Sequence, residues 1–125
     1  MKLRTGLAAR ADLVVGPQDT AISLGSGDVP VLGTPRVLAL AEEAAVAAID
    51  GALPAGRTSV GPRAELRHRA PTPVGRRVTA DAILVGVDGR KLVFDVTVRE
   101  GEEVLATAVV ERIVVDRDKF LEGLE

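Results

Sequence analysis

Apolar and polar positions alternate with a period of two through most of the C-terminal half. From Thr58 to Arg69, Val60, Ala64, Leu66 and His68 fall on one side, and Arg63, Glu65, Arg67 and Arg69 on the other. That period predicts a strand with one buried face. Pro71 and Pro73 end it. A second alternating run, Arg77 to Val87, closes on Asp88-Gly89, a strong hairpin signal. Lys91 to Arg99 is a third, with Leu92, Phe94, Val96 and Val98 inward. Glu100-Gly101 turns the chain into a fourth, Glu103 to Val115. Near the start, residues 3–15 alternate more loosely, with Leu7, Ala9, Ala11, Leu13 and Val15 opposite Arg10 and Asp12.

One segment breaks the period. After a glycine-bearing loop from Ile22 to Gly33, Thr34-Pro35 reads as a helix start, with Thr34 expected as the N-cap. The run VLALAEEAAVAAI is rich in good helix formers, and Asp50-Gly51 ends it. A helix of about 16 residues is about 24 Å long. It is apolar almost all round, so burial on most sides is expected. The order of strand, long helix and four antiparallel strands predicts an α+β fold, an antiparallel β-sheet wrapped around one long central helix. The tail DRDKFLEGLE reads as a short helix or a frayed end. The sheet edge and the helix flank would be left uncovered, which predicts a homodimer or a dimer of dimers.

At 125 residues, with 46% apolar, the chain reads as a single domain, 1–125. There is no cysteine, which excludes disulfides and thiolate chemistry. Sixteen basic residues face 18 acidic ones, and only Phe94 and Phe120 are aromatic, so nucleic acid is not an expected partner. The most apolar stretch, Val37 to Ile49, is too short to span a bilayer. Arg10 and Asp12 interrupt any signal-peptide core, and a cytoplasmic protein is expected. A single histidine and no cysteine leave no expected metal site. No cofactor is expected either; no P-loop follows GSGDVP, and the GxSxG elbow of a serine nucleophile is also absent.

The segments VGPQDTA (15–21), GSGDVPVLGTPRVLALAEEAAVAAI (25–49), RTSVGPRAELRHRAPTPVG (57–75), DGRKLVFDV (88–96) and ERIVVDR (111–117) resemble the hotdog-fold thioesterase family that includes fluoroacetyl-CoA thioesterase. The resemblance covers most of the chain. It implies a hotdog dimer that hydrolyses acyl-CoA thioesters. By position it puts Thr34, Glu42 and His68 on the family's catalytic threonine, glutamate and histidine. It puts Gly61 on a glycine near the thioester carbonyl and Arg112 on a substrate-site arginine. The fluoroacetate enzyme carries aromatic side chains in the loop before the helix, whereas Ile22 to Gly33 has none. The resemblance therefore points to a small acyl-CoA substrate without specifying fluoroacetyl.

Each of these residues also has a plainer reading. His68 suits proton transfer near neutral pH, or it is a hydrogen-bonded core histidine. Glu42 lies in an apolar helix and must face water, a partner or a substrate. At 100° per residue it is about 80° from Thr34, while Glu43 is about 180° away. Thr34 is an N-cap, a water-positioning group or a nucleophile with a base beside it. It stands about 12 Å from Glu42 along the helix axis. Gly61, followed by Pro62, marks a bulge or a close backbone approach that aims an N–H at a carbonyl oxygen. Arg112 falls on the inward side of its strand and either pairs with Glu42 or holds an acyl carboxylate. Arg63, Arg67, Arg69, Arg76 and Arg77 form a patch that either holds phosphate or is a solvated face balanced by Glu65 and Asp81. The working expectation is that His68 meets Glu42 beside a shared cleft. A non-catalytic acyl-CoA or CoA-binding hotdog protein is the alternative. A hydratase on the same fold ranks lower, because the helix carries no histidine.

Overall fold

The computed structural model describes residues 2–124. Its elements are β1 (Ala8–Val14), a 3-10 turn (Pro17–Asp19), α1 (Ala21–Leu24), α2 (Thr34–Ala48), β2 (Arg57–His68), β3 (Arg77–Asp88), β4 (Lys91–Glu100), β5 (Glu103–Asp116) and α3 (Arg117–Glu122). The five strands form one antiparallel sheet in the order β1-β3-β4-β5-β2. The sheet curls around α2, which packs against all five strands.

The alternation reading holds for β1, β3, β4 and β5. Leu92, Phe94, Val96 and Val98 are all buried, as are Ala106, Ala108, Val110 and Val114. Burying Phe94 completely contributes about 1.5–3 kcal/mol relative to exposure. Asp88 pairs with Lys91, so the turn is Gly89-Arg90, with Gly89 at φ +60 as a tight hairpin requires.

β2 departs from expectation. Between Val60 and Arg63 it carries one more residue than the facing Ile113 to Glu111 of β5, a bulge at Gly61-Pro62. Pro62 has no N–H for the ladder, and Gly61 has no Cβ to obstruct the kink. The bulge inverts the side-chain parity. Val60 lies opposite Ile113 and faces outward, not inward with Ala64, Leu66 and His68. Ser59, opposite the buried Val114, faces the core instead.

The helix is less enclosed than its composition suggests. Val37, Leu40, Ala41, Ala44, Ala45 and Ala48 are buried, whereas Pro35, Ala39, Glu43, Val46 and Ala47 are exposed. One flank of α2 is therefore open in the single chain. The N-cap is Gly33, not Thr34, which is already the first helical residue. The loop before α2 also contains α1, whose cap is Thr20, its hydroxyl accepting from the Ser23 N–H at 3.3 Å.

The outer sheet face carries paired charges. Asp81 bridges Arg99 and Arg10 at 2.6 and 3.1 Å, and the hydrogen bond from Arg99 holds its carboxyl below the usual range. In the expected arginine patch, Arg63 pairs with Glu65 and Glu111, Arg76 with Glu100 and Arg77 with Asp12. Asp81 therefore serves β1 and β4 instead of that patch. Arg67 and Arg69 have no ion pair among the described residues.

Candidate active site

Two clusters form, at different places along α2 and β2. The first joins the start of α2 to the end of β2. Thr34 Oγ1 lies 2.8 Å from His68 Nδ1. With the ring proton on Nε2, Nδ1 accepts from the threonine hydroxyl, the arrangement in which a base activates a nucleophile. Thr34 is exposed and His68 half-buried. The side chain of Thr34 is thus directed at an imidazole and does not cap the helix.

Local hydrogen bonds hold both partners. The Gly33 N–H donates to the Asp19 carbonyl at 2.9 Å. The buried Asp19 carboxylate accepts from the Gly16 N–H at 2.8 Å and from Arg36 Nε at 3.2 Å, tying the 3-10 turn to the first turn of α2. Beyond His68, the N–H groups of Arg69 and Ala70 both donate to the Leu105 carbonyl. A cavity of about 360 Å³ opens beside the pair, lined among others by Ala21, Gly27, Val29, Leu32, Thr34 and His68. Its apolar lining is aliphatic. A larger concavity, about 790 Å³, lies elsewhere, among Glu65, Arg67, Asp95 and Thr107 on the outer face of the sheet.

His68 Nε2 is buried and has no hydrogen-bond partner among the described residues. A buried polar group left unsatisfied costs about 1–3 kcal/mol. A base is normally oriented through its second nitrogen, and that nitrogen has no partner among the described residues.

The second cluster joins the middle of α2 to β2 and β5. Arg112 is buried, and its Nη1 donates to Glu42 Oε2 at 3.4 Å. Ser59 fixes the rest of the guanidinium, its hydroxyl accepting from Nε at 2.8 Å and its carbonyl from Nη2 at 2.9 Å. Burial pulls the Arg112 pKa down, and the Glu42 charge opposes that. Gly61 abuts the pair. A Cβ there would lie 2.7 Å from Glu42 Oε2 and 3.1 Å from Arg112 Nη1. Glycine is the residue that leaves room for the carboxylate.

Among the expected site residues, the structure thus joins Thr34 to His68, and Glu42 to Arg112 and Gly61. It does not bring His68 to Glu42 within one chain. The clusters are separated by eight helical residues, about 12 Å, and by seven residues of β2, about 23 Å if fully extended. Sequence reading missed Ser59, Asp19 and Arg36. Ser59 was legible only by treating Gly61-Pro62 as a parity break. Asp19 carried a signal, an acidic residue in the short GPQD turn that can fold back on its own backbone.

The model of the fluoroacetyl-CoA-specific thioesterase family matches residues 15–118. The fluoroacetyl-CoA thioesterase of Streptantibioticus cattleyicolor is 32% identical over 124 residues, covering 94% of this chain and 89% of the relative. A solved structure of fluoroacetyl-CoA thioesterase superposes with a TM-score of 0.90 at 31% identity, covering 98% of this chain and 95% of that one. A hot-dog-like protein from Thermanaerovibrio acidaminovorans superposes with a TM-score of 0.87 at 28% identity, covering 96% and 89%. With the wrapped helix, the sheet order and the matched span in agreement, the chain belongs to the fluoroacetyl-CoA-specific thioesterase family and has the hotdog fold.

Proposed function

We propose that residues 1–125 act as one catalytic unit that hydrolyses the thioester of a small acyl-CoA to the free acid and CoA. The observation that carries this reading is the 2.8 Å contact between the Thr34 hydroxyl and His68 in the lining of a cavity that has aliphatic walls and the charged Asp28 and Arg69. His68 takes the hydroxyl proton as Thr34 Oγ1 attacks the thioester carbonyl. The imidazolium then returns the proton to the leaving CoA sulfur. Water attacks the acyl-threonine with His68 again as base, releasing the acid and restoring the hydroxyl. The N-terminus of α2 and the backbone at Gly61 stabilise the oxyanion. Glu42 is a carboxylate held by Arg112, which Ser59 anchors, and it positions the hydrolytic water.

The working form in this proposal is a cytoplasmic homodimer, where acyl-CoA is available. Three features support pairing. β2 is an edge strand, the flank of α2 that carries Glu43 is open, and His68 Nε2 lacks a partner among the described residues. Pairing the β2 edges of two copies would bring the Thr34–His68 end of one to the Glu42–Gly61–Arg112 cluster of the other. Each cluster is half of a nucleophile, base and carboxylate set.

The test is a panel of short and branched acyl-CoA thioesters with free thiol as the readout. Thiol release is expected for small aliphatic acyl groups. Silence across the panel, with CoA still bound, would establish a binding protein instead. Gly61→Ala probes the second cluster. The added methyl meets the end of Glu42 and the buried Arg112 Nη1, so the fold should lose about 1–3 kcal/mol and persist. The displaced carboxylate should lower kcat at least ~10-fold. Unchanged kcat with a folded variant would remove Glu42 from the mechanism.

A further inference from the structure

We propose that Asp19 and Arg36 are positioning residues that aim the Thr34 hydroxyl at His68. The inference rests on the hydrolase reading above and adds to it the groups that hold its nucleophile.

Two charged residues are buried among the described residues, Arg112 and Asp19. The Glu42 cluster accounts for Arg112, whereas the mechanism leaves Asp19 without a task. A buried carboxylate is costly unless its oxygens are satisfied, and both of these are. Oδ2 accepts from the Gly16 N–H at 2.8 Å and Oδ1 from Arg36 Nε at 3.2 Å. Arg36 is the only basic residue of α2, and it stands in the first turn, the end where the helix dipole disfavours a cation. Each charge is misplaced alone, and each offsets the other.

The pair acts on Thr34 through the backbone. Three hydrogen bonds close a ring. The Gly33 N–H donates to the Asp19 carbonyl at 2.9 Å, the Arg36 N–H to the Gly33 carbonyl at 3.0 Å, and Arg36 Nε to the Asp19 carboxylate. Thr34 and Pro35 are the residues this ring spans. The ring stands in for a side-chain cap. Gly33 holds the N-cap position and has no side chain to offer. Nor is there room for one, because a Cβ would lie 2.8 Å from Leu24 Cδ1 and 3.2 Å from the Ala21 backbone. A first turn without a cap frays. Fraying here would swing Oγ1 away from His68 Nδ1, and the 2.8 Å contact has little tolerance for that.

The anchor itself is fixed. Thr20 bridges to Leu32, and the Ala21 N–H donates to the Val31 carbonyl at 2.8 Å. Asp19 therefore belongs to a segment tied twice to the loop that leads into α2, and it transmits that position to the helix start.

The single histidine makes the test direct, because its ring nitrogens give one set of signals in a nitrogen NMR spectrum of the isotope-labelled full chain. At pH ~9, where an ordinary imidazole is neutral, the wild-type Nδ1 signal is expected to be that of a hydrogen-bonded acceptor. Arg36→Met keeps the length and removes the donor. It should move that signal toward a free acceptor and lower kcat for an acyl-CoA at least ~10-fold, with KM within ~3-fold of wild type. Arg36→Gln puts its amide nitrogen as many bonds from the backbone as Arg36 Nε, so it should keep the signal in place and kcat within ~3-fold. Asp19→Asn offers one acceptor oxygen to two donors and should match Arg36→Met; it carries the test if Arg36→Met does not fold. Arg10→Met, which breaks an exposed ion pair with Asp81 on the sheet, should change neither readout.

An unmoved histidine signal in the folded variants overturns the positioning role. So does a loss carried by KM with kcat unchanged, or a loss that Arg36→Gln shares in full. Failure of both Arg36→Met and Asp19→Asn to fold makes the pair a folding element and overturns it as well. A signal that moves as stated, in a chain that cleaves no thioester, keeps the positioning ring and removes the hydrolase reading instead.

Discussion

His68→Ala is expected to lower thiol release from acyl-CoA by at least ~100-fold, the usual scale for losing an acid–base group. No other histidine exists to replace it, and the Thr34 hydroxyl loses the only ring nitrogen within hydrogen-bond reach. The fold should survive, because the substitution also removes a buried Nε2 that has no partner among the described residues. Thr34→Ala should bring a loss of similar size and Thr34→Ser a smaller one, since serine keeps the hydroxyl. Parallel rates for Thr34→Ala and wild type would show that the hydroxyl is neither nucleophile nor relay. Steady-state rates on folded variants, verified by circular dichroism, decide the point.

The second large effect is a recovery. Glu42→Ala alone is expected to reduce turnover at least ~100-fold. The variant should fold, because Glu42 is half-buried and Arg112 keeps both bonds to Ser59. Now let the Glu42→Ala and His68→Ala chains be unfolded together and refolded as a mixture. If each site draws His68 from one copy and Glu42 from the other, half of the dimers are mixed and each has one intact site. Activity should then return to about a quarter of wild type. A site contained in one chain predicts no recovery, because every chain lacks one of the two groups. The measurement needs only rates before and after mixing.

These expectations lie on different links between sequence and structure. The inward positions of β4, the existence of the hairpin at Gly89 and the extent of α2 were readable because their causes are local. Alternation, a glycine with positive φ and a run of helix formers each act within a few residues. The short α1 was missed for the opposite reason. Four residues carry little periodicity, and its position depends on the Ala21 N–H reaching the Val31 carbonyl and the Leu32 N–H reaching the Thr72 carbonyl. The inward placement of Val60 failed because one bulge residue inverts every side chain before it, and a period-2 pattern cannot place that inversion.

The same division runs through the site. The amino-acid sequence by itself determined which chemistry the chain could hold: one imidazole, a carboxylate within an apolar helix, a hydroxyl at that helix's start, and no thiol. It also determined the α+β order, because hydrophobic period is a local property of the chain. Tertiary structure alone decided the pairings. Thr34 met His68 instead of capping its own helix, Arg112 took Glu42 with Ser59 as its anchor, and Gly61 became the space a carboxylate fills. Those contacts join residues 34 to 70 positions apart, and only the curl of the sheet around α2 brings them within hydrogen-bond range.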